Sequence, residues 1–195
     1  MSAPLALHGG GEFQSGDEPF LRRILERAAG ANAAGPNAAE AKATGARPIH
    51  VELVTSAVAR HRPEATFAHA SAALRRVIGE TGAAQIDIGH ARVVDAASAG
   101  DPEIATRLAM ADLVYLPGGD PDAVIGILAG SRALSAIERA RECGAVVAGA
   151  SAGAMAMGAS TWTRTGHVAG FGWAGAIVVI PHASEARLLG QRDLV

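Results

Sequence analysis

Cysteine is almost missing from this chain, with only Cys143 among 195 residues. A single thiol excludes an internal disulfide framework and fits a reducing compartment, so a cytoplasmic location is expected. Aromatic residues are scarce at 4%, and the 17 basic and 19 acidic residues nearly cancel, leaving a formal charge of −2. Nucleic-acid and membrane-surface binding both need a concentrated positive field, so neither class of partner is expected. No apolar run approaches the roughly eighteen residues that a membrane span requires. The opening MSAPLALHGGGEF lacks a basic start and a long apolar stretch, so it does not read as a secretory leader. Paired cysteines, His-x-x-x-His and His-Glu-x-x-His are all missing, so neither a metal nor a cofactor is expected.

What the chain does have is apolar content, at 49%, and 24 glycines. The length suits one domain, residues 1–195, with a substantial core. Short apolar runs mark strands at Pro4–Leu7, Ile49–Val54, Ile86–Ile88, Asp112–Pro117, Ala145–Gly149 and Ala176–Ile180. Between them lie helical patterns. One starts with Asp17 as N-cap and Pro19 in the first turn, and Gly30 is expected to end it. Others cover 63–79, 101–109, 121–129, 131–142 and a small-residue stretch from Ala152. Residues 31–46, rich in Ala, Gly and Asn, read as an exposed internal linker. Strands that are nearly continuous apolar runs, alternating with helices, predict an α/β fold: a mostly parallel sheet covered on both faces.

Ligands of such sheets gather beyond the carboxyl ends of the strands. Three segments at that edge stand out. Gly149-Ala-Ser151-Ala-Gly153 fits Gly-x-Ser-x-Gly between a strand and a helix, the context of a nucleophile elbow. The competing reading is a small-residue helix start with Ser151 as a plain N-cap. In the elbow, the Ala152 N–H would face the oxygen of a tetrahedral intermediate. Gly118-Gly119-Asp120 follows the fourth strand, where a glycine pair leaves an N–H free to donate. There Asp120 is also placed to cap the next helix. His8-Gly9-Gly10-Gly11 matches neither a dinucleotide nor a P-loop spacing. It resembles the oxyanion loop of esterases, but only 31 residues separate Ser151 from His182, too few for the further strands and acid of an α/β-hydrolase.

A serine nucleophile needs a base. His61 and His69 read as solvated, and His50 and His90 as structural. His8 sits in a glycine-rich turn. His182 follows an apolar run and Pro181, at a strand's carboxyl end, and leads; His167, in a loop, is the fallback. Cys143 is placed on the helix before the fifth strand and is expected to be buried.

The run Leu-Pro-Gly-Gly-Asp (116–120), then Gly-Ala-Ser-Ala-Gly-Ala-Met-Ala-Met-Gly (149–158), then Pro-His (181–182), after a His-Gly-Gly-Gly-Glu-Phe opening (8–13), resembles the dipeptidase E and cyanophycinase family of serine peptidases. The resemblance spans about residues 4–188. It implies a class I glutamine amidotransferase-like fold, a three-layer sandwich with flavodoxin-like topology. It also implies Ser151 as nucleophile, His182 as general base, oxyanion N–H groups from Gly118 or Gly119 and from Ala152, and Asp120 at the substrate pocket. The implied activity is hydrolysis of small peptides, aspartyl dipeptides or an aspartyl–arginine polymer, without a cofactor. A homodimer is the assembly considered. Two departures from the family pattern stand out. Pro121 occupies the place where the family often has Gln. The family's acid lies some tens of residues past the histidine, whereas thirteen residues follow His182 here, with Glu185 and Asp193 as the third-acid candidates. An impaired binding domain of the same fold and a small-ester hydrolase are the alternatives. Arg164 and Arg187 are possible carboxylate ligands, with a surface role favoured for both.

Overall fold

The computed structural model describes residues 4–34, 47–81 and 85–182. Five strands form one sheet in the order β1-β5-β4-β2-β3. They are β1 (Leu5–His8), β2 (Ile49–Val54), β3 (Ile86–Ala91), β4 (Leu113–Leu116) and β5 (Val146–Ala150). Every pairing among them is parallel. Strands β3, β2, β4 and β5 follow the 2-1-3-4 part of the flavodoxin-like order. The edge position beyond β5 is filled by the N-terminal β1.

The period of two along each strand divides the core into two layers. Leu113, Tyr115, Val146 and Ala148 face α1 (Glu18–Ala34) and α2 (Pro63–Thr81), joining Leu21, Ile24, Leu25, Leu74 and Val77. Val114, Leu116 and Val147 face the other way. There they meet α4 (Pro102–Ala109), α5 (Pro121–Leu128), α6 (Arg132–Glu142) and α7 (Ala152–Met157) through Leu108, Val124, Leu128, Ile137 and Met157. Helices on both faces bear out the three-layer expectation, because a strand buried on two sides must be apolar at every position.

Several expected elements differ. Gly30 does not end α1, which runs on to Ala34; residues 35–46 of the expected linker lie outside the described residues. Asp17 stands at the N-cap position, its carbonyl accepting from Leu21 N–H, but its carboxylate turns back to the Phe13 N–H at 2.8 Å. A short 3-10 turn (Thr55–Val58) and α3 (Ala96–Gly100) were not anticipated. The latter is held by a reciprocal box between Asp95 and Ser98, a local signal outside any apolar periodicity. The run 176–180 forms no strand; it is tied down by an isolated bridge, Ser160 to Val178, and by the Ala159 N–H donating to the Ile177 carbonyl at 3.0 Å. Instead β6 (Ser160–Thr163) and β7 (Gly166–Ala169) make an antiparallel hairpin. His167 therefore lies on a strand rather than in a loop, bonded to Ser160 Oγ at 2.9 Å. Cys143, expected to be buried, caps the end of α6 and is exposed.

Candidate active site

The carboxyl ends of β1, β5 and β4 lie side by side, and each feeds one of the three unusual loops. Between β5 and α7 the chain turns on Ser151, at φ 45° and ψ −108°. A non-glycine residue rarely holds a positive φ, so the surrounding packing must enforce it. The flanking glycines show how. A Cβ at Gly153 would lie 2.1 Å from the Leu116 carbonyl oxygen, and one at Gly149 would lie 2.7 Å from Met157 Cε. Strand and helix thus approach more closely than any side chain permits. The Ser151 N–H donates to the His8 carbonyl at 3.0 Å, and its carbonyl accepts from Met155 N–H at 2.8 Å. The hydroxyl is left facing the cleft.

There it meets His182. Ser151 Oγ and His182 Nε2 are 3.2 Å apart, within hydrogen-bond reach. His182 also has positive φ, at 50°. Two contacts from the β1 loop fix it. Its N–H donates to the Gly9 carbonyl at 2.7 Å, and its ring lies on Gly10, where a Cβ would sit 2.2 Å from the ring carbon between the nitrogens. Among the described residues no carboxylate pairs with this ring; Glu185, Asp193 and Arg187 lie outside them.

The glycine loop after β1 is itself pinned. His8 Nε2 lies 3.1 Å from Asp17 Oδ1, and His8 Nδ1 accepts the Gly10 N–H at 3.3 Å. Burial pushes the Asp17 carboxyl above its usual range, while the Phe13 N–H and His8 pull it back. Beneath the loop, Tyr115 is buried with its hydroxyl unpartnered, 4.9 Å from Phe13 ring to ring. Its proton is held far more tightly than in water, first by burial and then by the nearby Glu12 and Asp17 charges.

The Gly118-Gly119-Asp120 turn forms the third wall. Gly119 has φ 147° and packs on the Ala57 carbonyl, which also accepts the Asp120 N–H at 2.7 Å. Asp120 caps α5 through the Asp122 N–H at 3.0 Å and pairs with Arg164 at 2.7 Å. Its carboxylate is thus engaged by the helix and by the β6–β7 hairpin, and Arg164 keeps a surface role. The Gly118 N–H donates to Glu12 Oε1 at 2.6 Å. Glu12 was missed in the sequence. The available signal was its place directly after three glycines at a strand's carboxyl end. The Ala152 N–H opens α7 and so has no intrahelical acceptor.

No group of three or more potential metal ligands occurs among the described residues. What remains is a hydroxyl on a strained turn, an imidazole within reach, and backbone donors on two sides.

The chain matches the model of peptidase family S51 over residues 63–170, more than half its length. The chain belongs to peptidase family S51. It is accordingly a serine peptidase. The matched region contains Gly118–Asp120 and Ser151, while the β1 loop and His182 lie outside it. The fold is similar to that of a peptidase from an acI-B1 Actinobacterium, with TM-score 0.72, 23% identity, and coverage of 97% of this chain and 75% of that one. It is also similar to a peptidase E-type protein from Listeria monocytogenes EGD-e, with TM-score 0.51, 16% identity, and coverage of 82% and 64%. Such identities carry the fold alone. Comparison with curated protein sequences gives no match.

Proposed function

We propose that Ser151 is the nucleophile and His182 the general base of a peptidase acting on small peptides. The observation that carries this reading is the 3.2 Å approach of Ser151 Oγ to His182 Nε2 across a turn held at positive φ. Ser151 Oγ attacks the scissile carbonyl carbon as Nε2 takes its proton. The carbonyl oxygen becomes an oxyanion between the Ala152 N–H and a donor of the Gly118-Gly119 turn. The imidazolium returns the proton to the leaving amine, the peptide bond breaks, and water repeats the sequence on the acyl-enzyme.

Substrate size and chemistry belong to the same proposal. Resemblance to dipeptidase E and cyanophycinase suggests an aspartyl dipeptide or an aspartyl–arginine polymer. Asp120 would act on the pocket indirectly, by holding the Gly118-Gly119 turn through its helix cap. The third acid is proposed among Glu185 and Asp193, and the domain as a single unit in a cytoplasmic setting, with a homodimer as its assembly.

A fluorophosphonate probe tests the assignment. Labelling is expected on Ser151, absent in Ser151→Ala and strongly reduced in His182→Ala. Labelling that survives Ser151→Ala would remove the nucleophile assignment.

A further inference from the structure

A carboxylate is an unexpected neighbour for an oxyanion donor. Glu12 Oε1 takes the Gly118 N–H at 2.6 Å, and it does so beside the nucleophile. A Cβ placed on Gly118 would lie 2.7 Å from Glu12 Oε1 and 3.1 Å from Ser151 Cβ, so acid and serine crowd the same side of that residue. The donor is fixed in place, because Gly119 and Asp120 are anchored on the Ala57 carbonyl. The acid is less constrained: Glu12 is half-buried, on a loop whose Gly10 and Gly11 have positive φ.

Electrostatics makes this arrangement a problem for catalysis unless something answers it. A negative charge near the site where an oxyanion develops opposes the transition state at short range. A cation on the substrate removes the opposition by drawing the carboxylate off the N–H. The cation must lie close to the attacked carbonyl. In a peptide the group that always meets this requirement is the α-ammonium of an N-terminal residue, two bonds from its own carbonyl carbon. An internal peptide bond offers a neutral amide there instead.

We infer that Glu12 is the receptor for the free α-ammonium of the substrate, and that its bond to Gly118 is what the carboxylate holds when that ammonium is absent. This inference rests on Ser151 being the nucleophile. It makes the enzyme one that removes a single N-terminal residue, with Glu12 as the determinant. A charged hydrogen bond of this kind is worth roughly 10- to 100-fold in affinity.

The test reads protection of Ser151 from a neutral fluorophosphonate by two dipeptide pools, each with every amino acid in the first position. One pool has free amino termini and the other is N-acetylated. The free pool is expected to protect at about tenfold lower concentration or less, and Glu12→Gln to erase that difference. Glutamine keeps an oxygen for the Gly118 N–H, so a merely structural role for Glu12 would leave the preference intact. Equal protection by the two pools, no protection by either, or a preference that persists in Glu12→Gln overturns the inference. Absence of labelling at Ser151 without any peptide is a different result: it removes the nucleophile assignment, and this inference with it.

Discussion

Two imidazole sites among the described residues are built in opposite ways. One lies between β2, β3 and α4. Glu52 is fully buried there, with His50 Nε2 at 3.0 Å and Arg107 Nε at 3.3 Å from Oε1. It fits because Gly89 stands opposite in the register and leaves the space that a side chain would fill. His90, on the same strand as Gly89, bonds Thr55 Oγ1 at 3.0 Å and stacks on Phe67. The other cluster is the cleft. There His182 is exposed, rests on backbone and a glycine, and has no carboxylate beside it among the described residues. A buried carboxylate shared by an imidazole and a guanidinium therefore marks the structural region, and a strained, glycine-walled edge marks the chemistry, where the His8–Asp17 pair at 3.1 Å supports the loop rather than the His182 ring. Buried charge requires a counter-charge, which Glu52 Oε1 has from His50 and Arg107, while Oε2 is left without a hydrogen-bond partner. A catalytic imidazole must instead stay free to accept a proton and give it up again.

The sharpest way to break this contrast is to remove the reacting groups. Ser151→Ala is expected to lower peptide turnover by on the order of 10⁴-fold or more, with unfolding curves unchanged. The same loss from Glu52→Gln at unchanged stability would erase the distinction between the regions. Next in size is the surface beneath His182. Gly10→Ala sets a methyl against the ring and forces a side chain onto φ 117°. Misplacing a catalytic group by about 1 Å costs roughly 100-fold, so kcat should fall by that order, while the backbone strain of about 1–3 kcal/mol lowers Tm by only several degrees. A normal kcat would show that the ring is not positioned by the loop.

Gly89→Ala probes the other cluster. Its Cβ would lie 2.1 Å from Glu52 Oε1, and the resulting overpacking should cost about 1–3 kcal/mol in denaturant unfolding. The Ser151 labelling rate of the folded protein should not change.

The smallest effect is in the pH dependence of stability. The hydrogen bond that the His50 ring donates to Glu52 raises the pKa of His50 above that of a free imidazole, against the opposing effect of burial. A raised folded-state pKa stabilises fully below the unfolded value and is lost as pH rises through the folded one. His50→Gln should therefore lower Tm most at about pH 6 and less at about pH 9. Burial lowers the pKa of His90, with Glu64 and Glu52 opposing and Arg92 and Arg107 reinforcing the shift. Its neutral form is favoured, and that stability is lost as pH falls through the lowered value. His90→Gln should consequently flatten the acid side of the profile, lowering Tm most above about pH 7 and less as pH falls. Parallel pH profiles for the two variants would contradict the opposed directions.

Much of the scaffold could be read from residue order because its signals are local. Val146–Ala150 and Leu113–Leu116 are short and apolar with a glycine within two residues of one end, the pattern of a strand covered on both faces. Ser151 was legible for the same reason: two glycines at fixed spacing report a close strand–helix approach. Apolar run and strand separate at 176–180, where Ile177, Val178 and Ile180 stay exposed and find no ladder. Gly30 failed as a terminator because a glycine in a helix interior costs only about 1 kcal/mol, and the buried Leu21, Ile24, Leu25 and Ala28 already anchor the helix before it. Cys143 was expected inside on the strength of its residue type, yet it falls at the end of α6, past the last buried turn.

By itself the sequence determined a parallel sheet with a reactive turn at its carboxyl edge, since periodicity and glycine spacing are properties of neighbouring residues. Only the tertiary structure decided what surrounds that turn. Strand order β1-β5-β4 brings His8 beside Ser151 and carries Glu12 to Gly118, across 106 positions of chain. His182 reaches the serine by lying on a glycine surface from the other end of the described chain. Contacts of that separation leave no periodic trace, because they depend on which strands become neighbours rather than on any one segment.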